Sequence, residues 1–280
     1  MAPKIFSFTE LFDSHAHLSM IDGDTNEIIQ RSVQAGVVKI VDVANDLDTT
    51  KTVLKLQKDH PEIILATAGI HPEIAIPASD LYQDNLDEVS VDNQLKSLDE
   101  IIEQNPNCFS MIGETGLDYY WLEKSDLAVE EIQKSKSLQK QLFIGQLNLS
   151  KKYNLPITLH ARSAHKECVQ EVKNISGLRG VFHSFTGNVF EAKEIFDLGF
   201  AIGINGIITY RSAQDLRDTI LTLTKDKEIN TPADLYACGI YLETDSPFLI
   251  PSNIKDRPKF NSPEQISALW NFVYNLLSNR

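Results

Sequence analysis

Apolar residues along this chain keep two alternating spacings, and the alternation repeats from one end to the other. Short β-branched runs at 37–44 (VVKIVDVA), 63–70, 108–114 (CFSMIGE), 156–160 (PITLH), 180–183 (GVFH), 200–204 and 240–245 (IYLETD) read as strands, as does the run opening at Leu11 and Phe12. Between them, apolar positions recur at helical spacing over 25–35, 48–59, 91–104, 130–153, 164–174, 189–198, 213–223 and 263–277. The punctuation agrees: Gly36 ends the first helix, Pro61 stops the second and Asn105-Pro106 closes the third. Residues 77–88 keep neither period and read as a mixed, acidic connection. Eight strands, each followed by a helix, predict an α/β chain folded as a (β/α)8 TIM barrel, a single domain over 1–280.

In such a barrel the chemistry lies at the C-terminal ends of the strands, and this sequence puts ionisable side chains there one strand after another. His15 and His17 close the first strand, where residues two apart share a side. His71 follows the third, Glu114 closes the fourth, His160 the fifth, His183 the sixth and Asp245 the eighth. A single strand-end histidine or aspartate is ordinarily a cap or a loop polar group. The same placement on several independent strands points to a metal centre. Four histidines and two carboxylates exceed what one tetrahedral ion needs and suit two divalent ions. The expected assignment is His15, His17 and Asp245 on one ion, and His160 and His183 on the other, with Glu114 bridging. Two ions would acidify a water and polarise a phosphoryl or ester oxygen, with Asp245 as the general base that takes the proton. The ligand types accept zinc, magnesium, manganese or iron. His71 is expected either to contact substrate or to cap the turn at Pro72.

Six stretches carry a family resemblance: Phe12-Asp13-Ser14-His15-Ala16-His17, Gly69-Ile70-His71-Pro72, residues 113–120 (GETGLDYY), residues 155–162 (LPITLHAR), His183-Ser184-Phe185-Thr186-Gly187 and Leu242-Glu243-Thr244-Asp245-Ser246-Pro247. The chain resembles the TatD-related metal-dependent deoxyribonucleases of the amidohydrolase superfamily, in their order and over nearly its whole length. The resemblance implies a metal-dependent phosphodiesterase acting on DNA, commonly a 3′-5′ exonuclease linked to repair or to DNA breakdown in cell death. It implies the same ligand set, with Glu114 standing where many relatives in the superfamily bridge their metals with a carboxylated lysine. The chain departs from the family pattern at Glu73, at Ser163 and in the loop 257–263 (RPKFNSP). None of these touches an expected ligand, so they bear on substrate preference.

Charge narrows the partners. With 26 Lys and Arg against 39 Asp and Glu, the net charge of −13 excludes a broad basic footprint on duplex DNA. Phosphate must be met locally: Arg162 is positioned to clamp it, Tyr120 to stack on an unpaired base, and Arg257 to lend charge from the last loop. The expected partner is DNA, single-stranded or at 3′ ends, bound by a monomer. The alternative is a small ester or amide on the same barrel, an aminoacyl-ester deacylase or lactonase-like activity; a scaffold would not need so complete a ligand set. Three cysteines without paired spacing, no secretory h-region and no long apolar run predict a cytoplasmic chain, or a nuclear one in a eukaryote, with no membrane contact.

Overall fold

The strands form at those apolar runs, but the first, sixth and eighth end short of His17, His183 and Asp245, which lie just beyond them and do not close them. The strands are β1 Asp13–Ala16, β2 Ile40–Asp42, β3 Ile64–Ala68, β4 Phe109–Asp118, β5 Ile157–Arg162, β6 Gly180–Phe182, β7 Phe200–Ile204 and β8 Ile240–Leu242. The helices are α1 Thr25–Gln34, α2 Leu47–Asp59, α3 Glu88–Gln104, α4 Tyr120–Lys124, α5 Val129–Tyr153, α6 His165–Lys173, α7 Val189–Asp197, α8 Gln214–Thr224, α9 Pro232–Tyr236 and α10 Ile266–Ser278. This computed structural model describes residues 4–77 and 79–279; Met1–Pro3, part of the N-terminal segment considered above for a secretory signal, lie outside the described residues. Among the described residues no helix is long and apolar enough to cross a membrane.

The strands hydrogen-bond in chain order in one eight-stranded sheet. The order closes where the chain beyond β8 returns to β1. Asp245 N–H donates to the His15 carbonyl at 2.9 Å and His17 N–H to the Ser246 carbonyl at 2.8 Å, with Ala16 and Ser246 bridged in parallel. The fold is the (β/α)8 barrel that the alternation predicts.

Two elements escaped the pattern. α4 and α9 are five residues each, too short to show a helical period. β4 also runs four residues beyond Glu114, because Thr115, Gly116, Leu117 and Asp118 go on pairing with Leu159, His160, Ala161 and Arg162 of β5. Glu114 is therefore inside a strand, and the register slips between Ile112 and Thr115 around it. A similar slip between Asp13 and Ala16 brackets His15. Such irregularities re-aim side chains and are common beside functional sites.

Internal contacts divide the chain into two compact units: Met1–Asp42, His60–Leu65 and Val181–Arg280 form the first, and Val43–Asp59 and Ala66–Gly180 the second. In the first, Phe12 sits under β1 with its ring edge-on to Tyr236 at 5.0 Å and Tyr241 at 5.7 Å. Each such aromatic pair adds about 0.5–1.5 kcal/mol beyond burial. The buried Tyr241 hydroxyl accepts from the backbone of Ile5 and Phe6 at 3.0 and 3.2 Å, which ties the incoming segment to β8.

In the second unit α5 lays Leu138, Leu142, Phe143 and Leu147 inward, all buried. Beyond β3 the backbone of Gly69 lies directly on that of Gly113: a Cβ on Gly69 would sit 2.2 Å from the Gly113 carbonyl carbon. Only glycine permits so close an approach, and the approach brings the residues that follow, His71 and Glu114, to one place.

Candidate metal centre

In the first unit the two imidazoles come together, His15 from within β1 and His17 from the residue just beyond its end. His15 Nε2 and His17 Nε2 are 3.2 Å apart, and Asp245 Oδ1 lies 3.9 and 3.7 Å from them. The His15 ring stacks on that of His183 at 4.0 Å. His183 Nδ1 is 3.6 Å from Glu243 Oε1, and His15, His183 and Glu243 form a group whose ligand atoms lie close enough for one ion. The strand is pinned by Asp13, a member of the first family stretch to which the sequence attaches no role. One carboxylate oxygen accepts from the backbone of His15 at 3.2 Å and of Thr244 at 2.9 Å, the other from the Thr244 hydroxyl at 2.5 Å. Burial pushes the Asp13 carboxyl up to about 8 against those hydrogen bonds. It likewise pushes Asp42 up to about 7, opposed by the Leu18 amide and by His17.

In the second unit the focus is Glu114, nearly fully buried. Its Oε1 meets His160 Nδ1 at 2.8 Å and His71 Nε2 at 3.3 Å. His160 Nε2 in turn meets Asp118 Oδ2 at 3.1 Å, so this imidazole is gripped at both nitrogens. Burial would raise the Asp118 carboxyl, but the hydrogen bond from His160 and the charges of His160, Arg162 and His71 outweigh it and hold it below the usual carboxylate range. His71 does cap the turn at Pro72: its Nδ1 accepts from Glu73 N–H at 3.2 Å. The ring proton is thereby left on Nε2, facing Glu114. His71, Glu114 and His160 lie close enough together for one ion, but with Nδ1 engaged and Nε2 protonated His71 has no lone pair to offer, which leaves Glu114 and His160 as the ligands of this cluster.

Beside this cluster Arg162 stacks its guanidinium on Tyr120 at 4.1 Å and on Trp121 at 5.1 Å, with Asp118 Oδ2 3.9 Å away. Arg162 and Trp121 remain exposed. Arg257, in the first unit, is an exposed cation whose charge reaches Tyr210.

Helix α5 supplies two further residues that the sequence reading passed over. Gln146 accepts from Ile70 N–H at 2.8 Å and donates to the Ile70 carbonyl at 2.9 Å and the Thr115 hydroxyl at 2.8 Å. Gln139 grips the backbone of Asp118 in the same manner, at 2.9 and 3.0 Å. Both are fully buried. The available signal was two polar residues, seven apart, on the apolar stripe of a long helix. Gln146→Leu keeps the volume but leaves the Ile70 peptide groups without partners; it should lower stability by about 2 kcal/mol or more, read from the midpoint of urea unfolding.

The clusters suit divalent ions. Glu243 Oε2 is buried and has no hydrogen-bond partner among the described residues, while the imidazole, the amide and the backbone N–H beside this carboxylate all meet its other oxygen, Oε1. Imidazole nitrogens with carboxylate oxygens are the donor set of zinc and its first-row neighbours, and a cation there offsets the cost of burying acids.

Comparison with known proteins agrees. The profile of the family described as TatD related DNase matches residues 12–279. An Escherichia coli (strain K12) protein described as an uncharacterized metal-dependent hydrolase, YjjV, is 30% identical over 261 residues, spanning 92% of this chain and 86% of its own. A Bacillus subtilis (strain 168) protein described likewise, YabD, is 29% identical over 260 residues, spanning 91% and 87%. The crystal structure of YjjV, a TatD homologue from Escherichia coli K12, superposes with a TM-score of 0.72 at 26% identity over 96% of this chain and 95% of that one. A TatD-family hydrolase from Entamoeba histolytica shares the fold, with a TM-score of 0.71 at 21% identity over 96% and 92%. The chain thus belongs to the TatD-related DNase family, and it is a metal-dependent hydrolase.

Proposed function

We propose that the chain hydrolyses phosphodiester bonds of DNA, removing nucleotides from 3′ ends of single strands. The observation that carries this reading is the exposed Arg162 guanidinium stacked on Tyr120 and Trp121 and tied through Asp118 to His160. A cation for a phosphate beside two rings for an unpaired base is what a single-stranded substrate asks of a protein. In an acidic chain this is capture by a few local groups, with Arg257 as a further cation.

His15, His17 and Asp245 are assigned to one divalent ion, and Glu114 and His160 to a second, with His183 as a further ligand. Bound ions would supply Lewis acidity, acidifying a water and polarising a phosphoryl oxygen. The chain's own residues do the rest. Asp245 takes the proton of the attacking water, Asp118 fixes the His160 ring, and Arg162 holds the phosphate in line. His71, with its proton on Nε2, keeps the Glu114 carboxylate oriented.

A small ester or amide is the competing substrate, favoured by the net charge of −13. Metal-loaded protein should be incubated with single-stranded DNA and, separately, with an aryl ester, an aminoacyl ester and a lactone. The reading predicts nucleotide release that stops on addition of a chelator, with esters turned over slowly. Intact DNA beside rapid ester turnover would overturn it in favour of the small-substrate enzyme.

A further inference from the structure

We infer that Glu243 is a positioning residue for His183, fixing which ring nitrogen carries the proton and where the other one points. The inference rests on the reading of His183 as a metal ligand. Glu243 directly follows β8, and its side chain has no exposure to solvent. Its Oε1 accepts from Ser184 N–H at 2.6 Å and from Asn205 Nδ2 at 3.3 Å. The orientation of the Asn205 amide is set from its other side, because its Oδ1 accepts from Ile207 N–H at 3.2 Å. Asn205 Nδ2 also donates to the Ser184 hydroxyl at 2.9 Å.

Ser184 is held at φ 50°, the left-handed region that serine seldom enters, and these hydrogen bonds to its amide and its hydroxyl keep it there. His183 is the residue immediately before, so its backbone is held through Ser184. The space for the carboxylate is built in as well. A Cβ on Gly203 would lie 2.0 Å from Glu243 Oε2 and 2.6 Å from its Cδ, so β7 carries a glycine where the acid must sit.

The chemistry then dictates the tautomer. An ionised carboxylate only accepts. Two of its neighbours, Ser184 N–H and the Asn205 amide, are donors by construction. The third, His183 Nδ1 at 3.6 Å, is too distant for a formed hydrogen bond but close enough for the negative charge to favour a proton on that nitrogen. With Nδ1 protonated, Nε2 keeps its lone pair, the form in which imidazole binds a metal. A buried glutamine could brace Ser184 equally well; only the charge selects the tautomer.

The test uses full-length protein labelled with 15N at histidine, first without metal. Wild-type His183 is expected to show the Nδ1–H tautomer in long-range 1H–15N spectra. Glu243→Gln should mix the tautomers and weaken Zn2+ binding about 10–100-fold by calorimetric titration, with a thermal midpoint close to wild type. Gly203→Ala, which displaces the carboxylate without removing it, should do the same. An Nε2–H tautomer in the wild type, or variants that keep wild-type spectra and affinity, would overturn the inference. Wild-type protein that takes up no divalent ion would instead refute the metal reading, and the tautomer in that same sample would still decide the role of Glu243.

Discussion

Glu114→Ala is expected to abolish hydrolysis in a chain that still folds. The carboxylate receives His160 and His71 on one oxygen, so its loss releases both imidazoles at once. Losing a partner in the outer shell of a metal site ordinarily costs about 10–100-fold; losing a ligand should exceed the upper end of that range. The fold should survive because the backbone here is held independently. Glu114 N–H donates to the Ala44 carbonyl at 2.9 Å, and the Thr67 hydroxyl donates to the Gly113 carbonyl. Turnover on DNA with saturating metal, alongside the circular dichroism spectrum, checks both halves. A folded variant with wild-type turnover would remove Glu114 from the site.

Asp245→Asn should act differently. Asparagine keeps one acceptor near His15 and His17, so part of the metal occupancy should remain, but it cannot take a proton from water. General-base catalysis contributes roughly 10²–10⁴-fold, and kcat should fall within that range while KM changes little. Elemental analysis of the purified variant, together with its kcat, separates the two effects. Wild-type turnover would exclude the proton role.

The alternation of apolar runs carried the fold through to the sequence, because every strand of a parallel barrel is buried on both faces and every helix on one. It failed where length hid the period, at α4 and α9, and where pairing with β5 carried β4 past Glu114 to Asp118. The side chains that converge at strand ends were legible for a related reason: histidines and acids stand out against apolar runs. His15 and His17 came together as their spacing requires, and Asp245 came to them through the return to β1.

The residues that hold the site were harder to see. Asp13, Gln139, Gln146 and Glu243 act on backbone or side-chain groups that only tertiary structure brings within reach. Each is a polar residue in a buried run, which local propensity registers as noise. Glu243 was doubly hidden, since Asp245 two positions on accounted for the acidity of that strand end. The His71–Glu114 contact depends on the backbone approach of Gly69 and Gly113, a feature that no spacing rule encodes.

The most direct measurement is a titration of chelator-stripped protein with Mn2+ or Zn2+, following release of nucleotides from a 5′-labelled single-stranded oligonucleotide. The account predicts no cleavage by the stripped protein, recovery that saturates at two ions per chain, and a ladder shortened from the 3′ end. Cleavage that persists without metal, or an oligonucleotide left whole at every metal concentration, would contradict it.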